Sequence, residues 1–164
     1  MKRSVLIVAT AIFLVTHATN LQVPLYGTYA EIAGFGSSIS AIAFSAYVAG
    51  LLPTLIFLGG LSDRAGRKKV ILASLLFLAL ATGLIVIHPT IHTLFVTRIL
   101  QGIGVGLITG TGTAYLSNLM PKKADRVAAY VSLATALGFS SGALFTNISL
   151  CLTTHWFHSV IQLF

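Results

Sequence analysis

The chain has 164 residues, of which 56% are hydrophobic and only 8% charged, and its mean hydropathy is +0.95. A soluble domain carries roughly a quarter of its residues as charges, so this chain lacks the polar side chains to cover a water-facing surface, and lipid is the solvent that fits. Its net charge of +7 does not point to nucleic acid, because the bases fall in short clusters between apolar runs and not along one exposed face.

Only helices and closed barrels satisfy their backbone groups within a bilayer. Barrel strands alternate polar and apolar residues over about ten positions, whereas the apolar runs here are continuous and long enough to cross as helices. The fold class is therefore all-α integral membrane, and five spans are expected. A single cysteine, Cys151, excludes an internal disulfide.

The first span is predicted from Val5 to Tyr26. It carries the polar residues His17, Asn20 and Gln22 near or beyond its middle, which makes it the candidate substrate helix. His17 is of a type that titrates near neutral pH and relays protons; the competing reading is a histidine bonded to a neighbouring helix. Lys2-Arg3 before an apolar run also suits a cleaved leader, but apolar character resumes at Leu21–Leu25, further than a leader needs. The second span is predicted from Ile39 to Leu61.

The connection that follows, Gly59-Gly-Leu-Ser-Asp63-Arg64-Ala-Gly66-Arg67-Lys68-Lys69, is short and basic. Gly59 removes a side chain near a helix end and lets another helix approach. Gly66 permits a tight reversal. Asp63 is a lone acid among bases, placed to pair locally or to face a helix amino terminus. A plain topology anchor would explain the bases Arg64, Arg67 and Lys68 but not the glycine and aspartate spacing.

The third span is predicted over Val70–Ile87 and the fourth over Thr93–Leu116. Arg98 lies inside the fourth, where a buried arginine costs roughly 2.5–3.5 kcal/mol on insertion scales and faces a cavity or partner unless it snorkels to the interface. Gln101 follows. Gly102, Gly106 and Gly110 recur every four residues and line one helix face, a small-residue stripe suited to close packing. Gly102-Ile-Gly104-Val-Gly106 is not a dinucleotide loop, since no strand precedes it and no acid follows.

The fifth span is predicted over Val127–Ile148, with Gly138 and Gly142 one turn apart, and residues 149–164 are expected to form an irregular tail. Asn147-Ile-Ser149 matches a glycosylation sequon but falls at a membrane boundary. His88 with His92, and His155 with His158, have metal-compatible spacings. Pro89 breaks the first pair's helix and no acid accompanies either, so no metal site and no cofactor are expected.

Lys2, Arg3, the 64–69 cluster and Lys122, Lys123 and Arg126 alternate with loops that contain no lysine or arginine. All bases but Arg98 fall on one side, which the positive-inside rule makes cytoplasmic. The amino terminus is then inside and the segment after span five outside.

The loop Gly59–Lys68 resembles the signature loop of the major facilitator superfamily, Gly-x-x-x-Asp-Arg-x-Gly-Arg-Lys, at the same junction between the second and third spans. Arg98-Ile-Leu-Gln101-Gly102-Ile-Gly104 resembles that family's Arg-x-x-Gln-Gly-x-Gly pattern in the fourth, and Pro121–Arg126 its link to the fifth. Gly138 and Gly142 match the glycines of an antiporter motif, but Ala143 stands where proline is expected. The resemblance covers residues 4–148. It implies a plasma (cell inner) membrane transporter, not an enzyme, with two six-helix halves around a small-molecule cavity. Asp63 would lock a gate against the other half, and Arg98 would act in coupling.

On this reading the five spans are an incomplete amino-terminal six-helix bundle, a fragment missing its carboxyl-terminal half. Its complete form would carry out proton-coupled efflux of a small organic solute. The alternatives are a non-transporting remnant and a membrane metalloenzyme.

Overall fold

The structure, a computed structural model, describes residues 2–27, 38–58 and 60–161, with side chains from 3 to 153. Among the described residues, five helices are long and apolar enough to cross a membrane. They are α1 (Lys2–Asn20), α2 (Ser38–Leu58), α3 (Arg67–Ile87), α4 (Ile91–Leu119) and α5 (Ala124–Ile161). A 3-10 turn, Val23–Leu25, extends α1, and a short helix, Leu61–Ala65, sits between α2 and α3.

Each predicted span falls on one of these helices. The exception to the expected organisation is the segment after 148, where helix continues through Ile161 in place of an irregular tail. Threonine need not interrupt a helix when its hydroxyl bonds the preceding turn, and Thr153 Oγ1 donates to the Ser149 carbonyl at 2.5 Å.

Local chemistry explains the helix ends. Gly66 has φ 90°, a left-handed conformation that glycine adopts without strain, and it separates the short helix from α3. Thr90 caps α4, its hydroxyl accepting from the Thr93 amide at 3.2 Å. His88 caps the end of α3 by donating its amide to the Leu84 carbonyl at 3.0 Å, whereas His92 lies beyond Pro89 in the first turn of α4, so the two do not share a helix.

α4 is the central element. It packs along α2 and α3 and crosses α1, while α1 packs along α5. The core joins Val8, Ile12 and Val15 of α1 to Val105, Ile108 and Leu116 of α4, with Leu78 of α3 and Ala134 of α5 at its margins. A second cluster, Tyr26, Ala43, Ile85 and Leu94, closes the opposite end. Outward positions such as Leu6, Ile56, Phe57, Val86, Ile87 and Phe145 are exposed, which is the surface hydrocarbon solvates and water does not.

The basic clusters gather at one end. Ser4, Arg67, Lys68 and Tyr115 line one cavity there, and Val5, Met120, Lys123 and Arg126 line another. The starts of α1, α3 and α5 and the end of α4 therefore share one rim, as the alternating loops require.

Candidate functional site

Arg98 lies two turns into α4, about 10 Å from its start, and is only 2% exposed. It does not snorkel. Its Nη1 donates to the Thr19 carbonyl of α1 at 2.9 Å, and its guanidinium carbon sits 4.7 Å from the centroid of the Tyr26 ring, within cation–π range. Thr19 presents that carbonyl near the end of α1, where carbonyls run out of intrahelical partners. Nε and Nη2 are buried with no partner among the described residues.

Arg98 lines a cavity of about 610 Å³, open on one side, whose walls come from α1, α2, α4 and α5. Its polar wall is Thr19, Asn20, Ser40 and the two tyrosines, Tyr26 and Tyr47, and its apolar wall includes Phe44, Leu51 and Phe139. Such a space, mainly apolar with a few convergent polar groups, is suited to a small organic molecule. Gln101 is fully buried one turn beyond Arg98, and both its amide atoms lack a partner among the described residues.

The other polar residues of α1 are distributed differently. His17 Nδ1 pairs with Ser141 Oγ of α5 at 2.8 Å, and the ring stacks on Phe13 at 5.7 Å between centroids. His17 is thus engaged in the α1–α5 seam, outside the residues that line the Arg98 cavity. Asn20 does line the cavity and donates its Nδ2 to the Phe139 carbonyl at 2.8 Å. Gln22 is buried, its Oε1 unpartnered among the described residues, and borders a different cavity between α1, α3 and α5.

Small residues set the helix spacing. A methyl group on Gly102 would run into the Tyr47 carbonyl oxygen of α2 and lie 2.9 Å from the Leu51 nitrogen. Gly50 answers it from α2, where a methyl would strike the Ile99 carbonyl, and a methyl on Gly106 would lie 2.8 Å from the Thr54 side chain. Gly138 and Gly142 do the same for α5 against α1: methyls there would meet the Phe13 carbonyl at 2.7 Å and the Asn20 Cβ at 3.1 Å, respectively. Gly110 is half-buried. Close backbone approach holds the cavity walls in place.

At the basic end, Asp63 pairs with Arg67 at 3.5 Å, one turn on, and its side chain stays 67% exposed. Arg67 reaches further. Its guanidinium lies 5.5 Å from the Tyr115 ring centroid. With the Asn118 amide turned oxygen-first, it also donates Nη1 to that oxygen at 2.8 Å. Arg67 therefore ties the loop to the end of α4, while Arg64 and Lys68 line or edge the rim. Gly59 and Glu31 lie outside the described residues. Among the described residues no group of three potential metal ligands forms.

The sequence model of the Major Facilitator Superfamily matches residues 8–161. The chain belongs to that superfamily. Among curated relatives, a chloramphenicol resistance protein of Acinetobacter baumannii is 33% identical over 149 residues, covering 88% of this chain and 35% of the relative. A multidrug resistance protein of Shewanella sp. is 38% identical over 82 residues, covering 50% and 21%. Multidrug resistance protein 2 of Bacillus subtilis is 28% identical over 138 residues, covering 84% and 34%. The chain thus spans about a third or less of the length of these curated relatives.

Membership in the Major Facilitator Superfamily fits the placement of both motif segments, the 60–69 loop at the basic rim and Arg98 beside the cavity. Three participants were not singled out from sequence. Tyr26 and Tyr47 look like ordinary apolar-run aromatics, and Gly50 stands alone in α2 without a repeat. An i, i+4 small-residue search that also accepted Gly50-x-x-x-Thr54 would have found the last.

Proposed function

We propose that this chain forms the amino-terminal bundle of a secondary transporter that exports small organic molecules, driven by protons, across the cell's plasma membrane. The observation that carries the reading is the Arg98 cavity. It offers a small-molecule-sized space beside a buried guanidinium with donors to spare, on the face where α1, α2 and α4 converge. The drug-resistance names of the relatives support export as the direction. Arg98 is the coupling candidate, since its environment changes with whatever occupies the cavity, and Gln101 lies on the same side of α4.

Alternating access rocks one bundle against another around a shared site. The transporting unit is therefore this bundle with a second one, and these five helices alone do not carry flux. Asp63 fits a gate on the rim: its pairing with Arg67 is long and solvent-exposed, worth under about 1 kcal/mol, so its charge is available to an opposing helix.

The test is drug export from a host stripped of its own pumps. The chain would be expressed alone or with the carboxyl-terminal half of the Acinetobacter baumannii relative. The pair should lower intracellular chloramphenicol in a protonophore-sensitive manner, and the chain alone should not. Asp63→Asn should reduce export several-fold with unchanged membrane yield. Saturable flux by the isolated chain, or full export by the Asn variant, would sink the two-bundle and gate readings respectively.

Orientation follows from the basic rim, which the positive-inside rule assigns to the cytoplasm. A single cysteine at position 90 should react with an impermeant maleimide in intact cells, and one at position 68 only after lysis. Labelling at 68 from outside would reverse the arrangement.

A further inference from the structure

The unpaired atoms of Arg98 specify more than a cavity. Nη1 is spent on the Thr19 carbonyl. The two nitrogens left over, Nε and Nη2, are neighbours on one edge of the guanidinium, and their N–H bonds run parallel. That edge matches a planar group presenting two oxygens side by side, as in bidentate arginine–carboxylate pairs. The residue that carries it is 98% buried, as its 2% exposure states, and it borders the cavity.

The electrostatics of the wall agree. None of the described residues lining the cavity is acidic. Of the chain's three acids, Asp63 lies in the short helix before α3 and Asp125 in the first turn of α5, both at the basic rim, and Glu31 is outside the described residues. A cation entering this space meets a like charge and no counter-ion from these walls. The aromatic side chains Phe44, Tyr47 and Phe139 suit a flat hydrocarbon body. Tyr26 stacks with the guanidinium, and the Nε and Nη2 atoms are inaccessible to solvent, so a ligand engages that edge once the side chains around it move aside.

We infer that the Arg98 cavity binds aromatic molecules carrying a planar two-oxygen acceptor, a carboxylate or a nitro group, and discriminates against organic cations. This rests on the cavity being the substrate site of the proposed transporter, but it concerns binding and is tested without transport. The acceptor takes both N–H groups of the Nε–Nη2 edge, and the ring lies along the aromatic wall.

The experiment is fluorescence titration of the purified full chain in nanodiscs with three ligands of one shape: 2-naphthoate, 2-nitronaphthalene and a naphthylmethyl trimethylammonium ion. Empty nanodiscs supply the partitioning baseline. Charge-assisted hydrogen bonds to a buried guanidinium should favour naphthoate over the ammonium ion by about tenfold or more, with the nitro compound between them. Arg98→Gln should erase the preference.

Ser40→Asp, on the exposed edge of the same wall, leaves the buried network intact and should weaken naphthoate and strengthen the ammonium ion. It keeps the question answerable if the Arg98 variant does not fold. Equal affinities, a cation preference in the wild type, or indifference to Ser40→Asp would overturn the inference. Export of chloramphenicol by the two-bundle pair, with no naphthoate or nitronaphthalene binding by the chain, would overturn this ligand class and leave the transport reading standing. Selective binding without export would do the reverse.

Discussion

Replacing Gly102 with alanine is expected to lower the melting temperature of the detergent-purified chain by roughly 5–10 °C, and replacing it with leucine to leave no folded monomer. The new methyl would meet backbone, the Tyr47 carbonyl and the Leu51 nitrogen, which cannot rotate aside as a side chain does. α2 and α4 must separate, and they form the most extensive helix pair in the bundle. The residual contacts in lipid are dispersion and close packing, with no hydrophobic drive between helices to compensate.

Gly50→Ala should act like Gly102→Ala, because its methyl would strike the Ile99 carbonyl. Gly83→Ala is the control. Nothing lies within 4 Å of the added carbon, so the helix should be unchanged or stabilised by about 0.5–1 kcal/mol. Thermal unfolding followed by intrinsic fluorescence distinguishes them. If Gly102→Ala melts with the wild type, the close crossing of α2 and α4 is wrong.

Arg98→Lys should cut export by the two-bundle pair by about tenfold or more while the chain still folds and inserts. Arginine does two things at once here: it donates to the Thr19 carbonyl at 2.9 Å and stacks under Tyr26 at 4.7 Å. A lysine ammonium is a compact point charge on a flexible stem. It retains the charge but not the planar fork, so the Thr19 contact and a free donor edge cannot coexist. Export at equal membrane abundance is the measurement. Lysine working as well as arginine would mean that positive charge alone matters at this depth.

Much of the architecture was legible from one dimension. Crossing a bilayer demands a long apolar run, and the positive-inside rule reads basic clusters loop by loop. Both are properties of consecutive residues, so five spans and a common basic rim emerge from the order of Lys2, Arg67 and Lys123 between apolar stretches. The motif loop was legible for the same reason, since Asp63, Gly66 and Arg67 lie within five positions. Gly66 in particular adopts the reversal that its residue type permits. Residues 149–161 differ from the expected irregular tail because a run too short for a further span can still extend the helix before it, and the Thr153 hydroxyl bonds back to the Ser149 carbonyl without breaking it.

What the sequence by itself determined, then, was the solvent, the number of crossings and the placement of charge. Only the tertiary structure decided which side chains meet. His17, Asn20 and Gln22 share one span and look equivalent in order. Packing sends them to three places, to Ser141, to the Arg98 cavity and to a cavity against α3. Tyr26 and Tyr47 join Arg98 at the cavity from other helices, across separations that no local pattern encodes. Arg67, one of several bases in its cluster, is distinguished by Tyr115 and Asn118 more than forty positions away. The physical reason is that lipid rewards any apolar outward face alike, so the rotation of each helix is set by contacts between helices: glycine gaps such as Gly50 against Gly102, and a single buried guanidinium seeking acceptors.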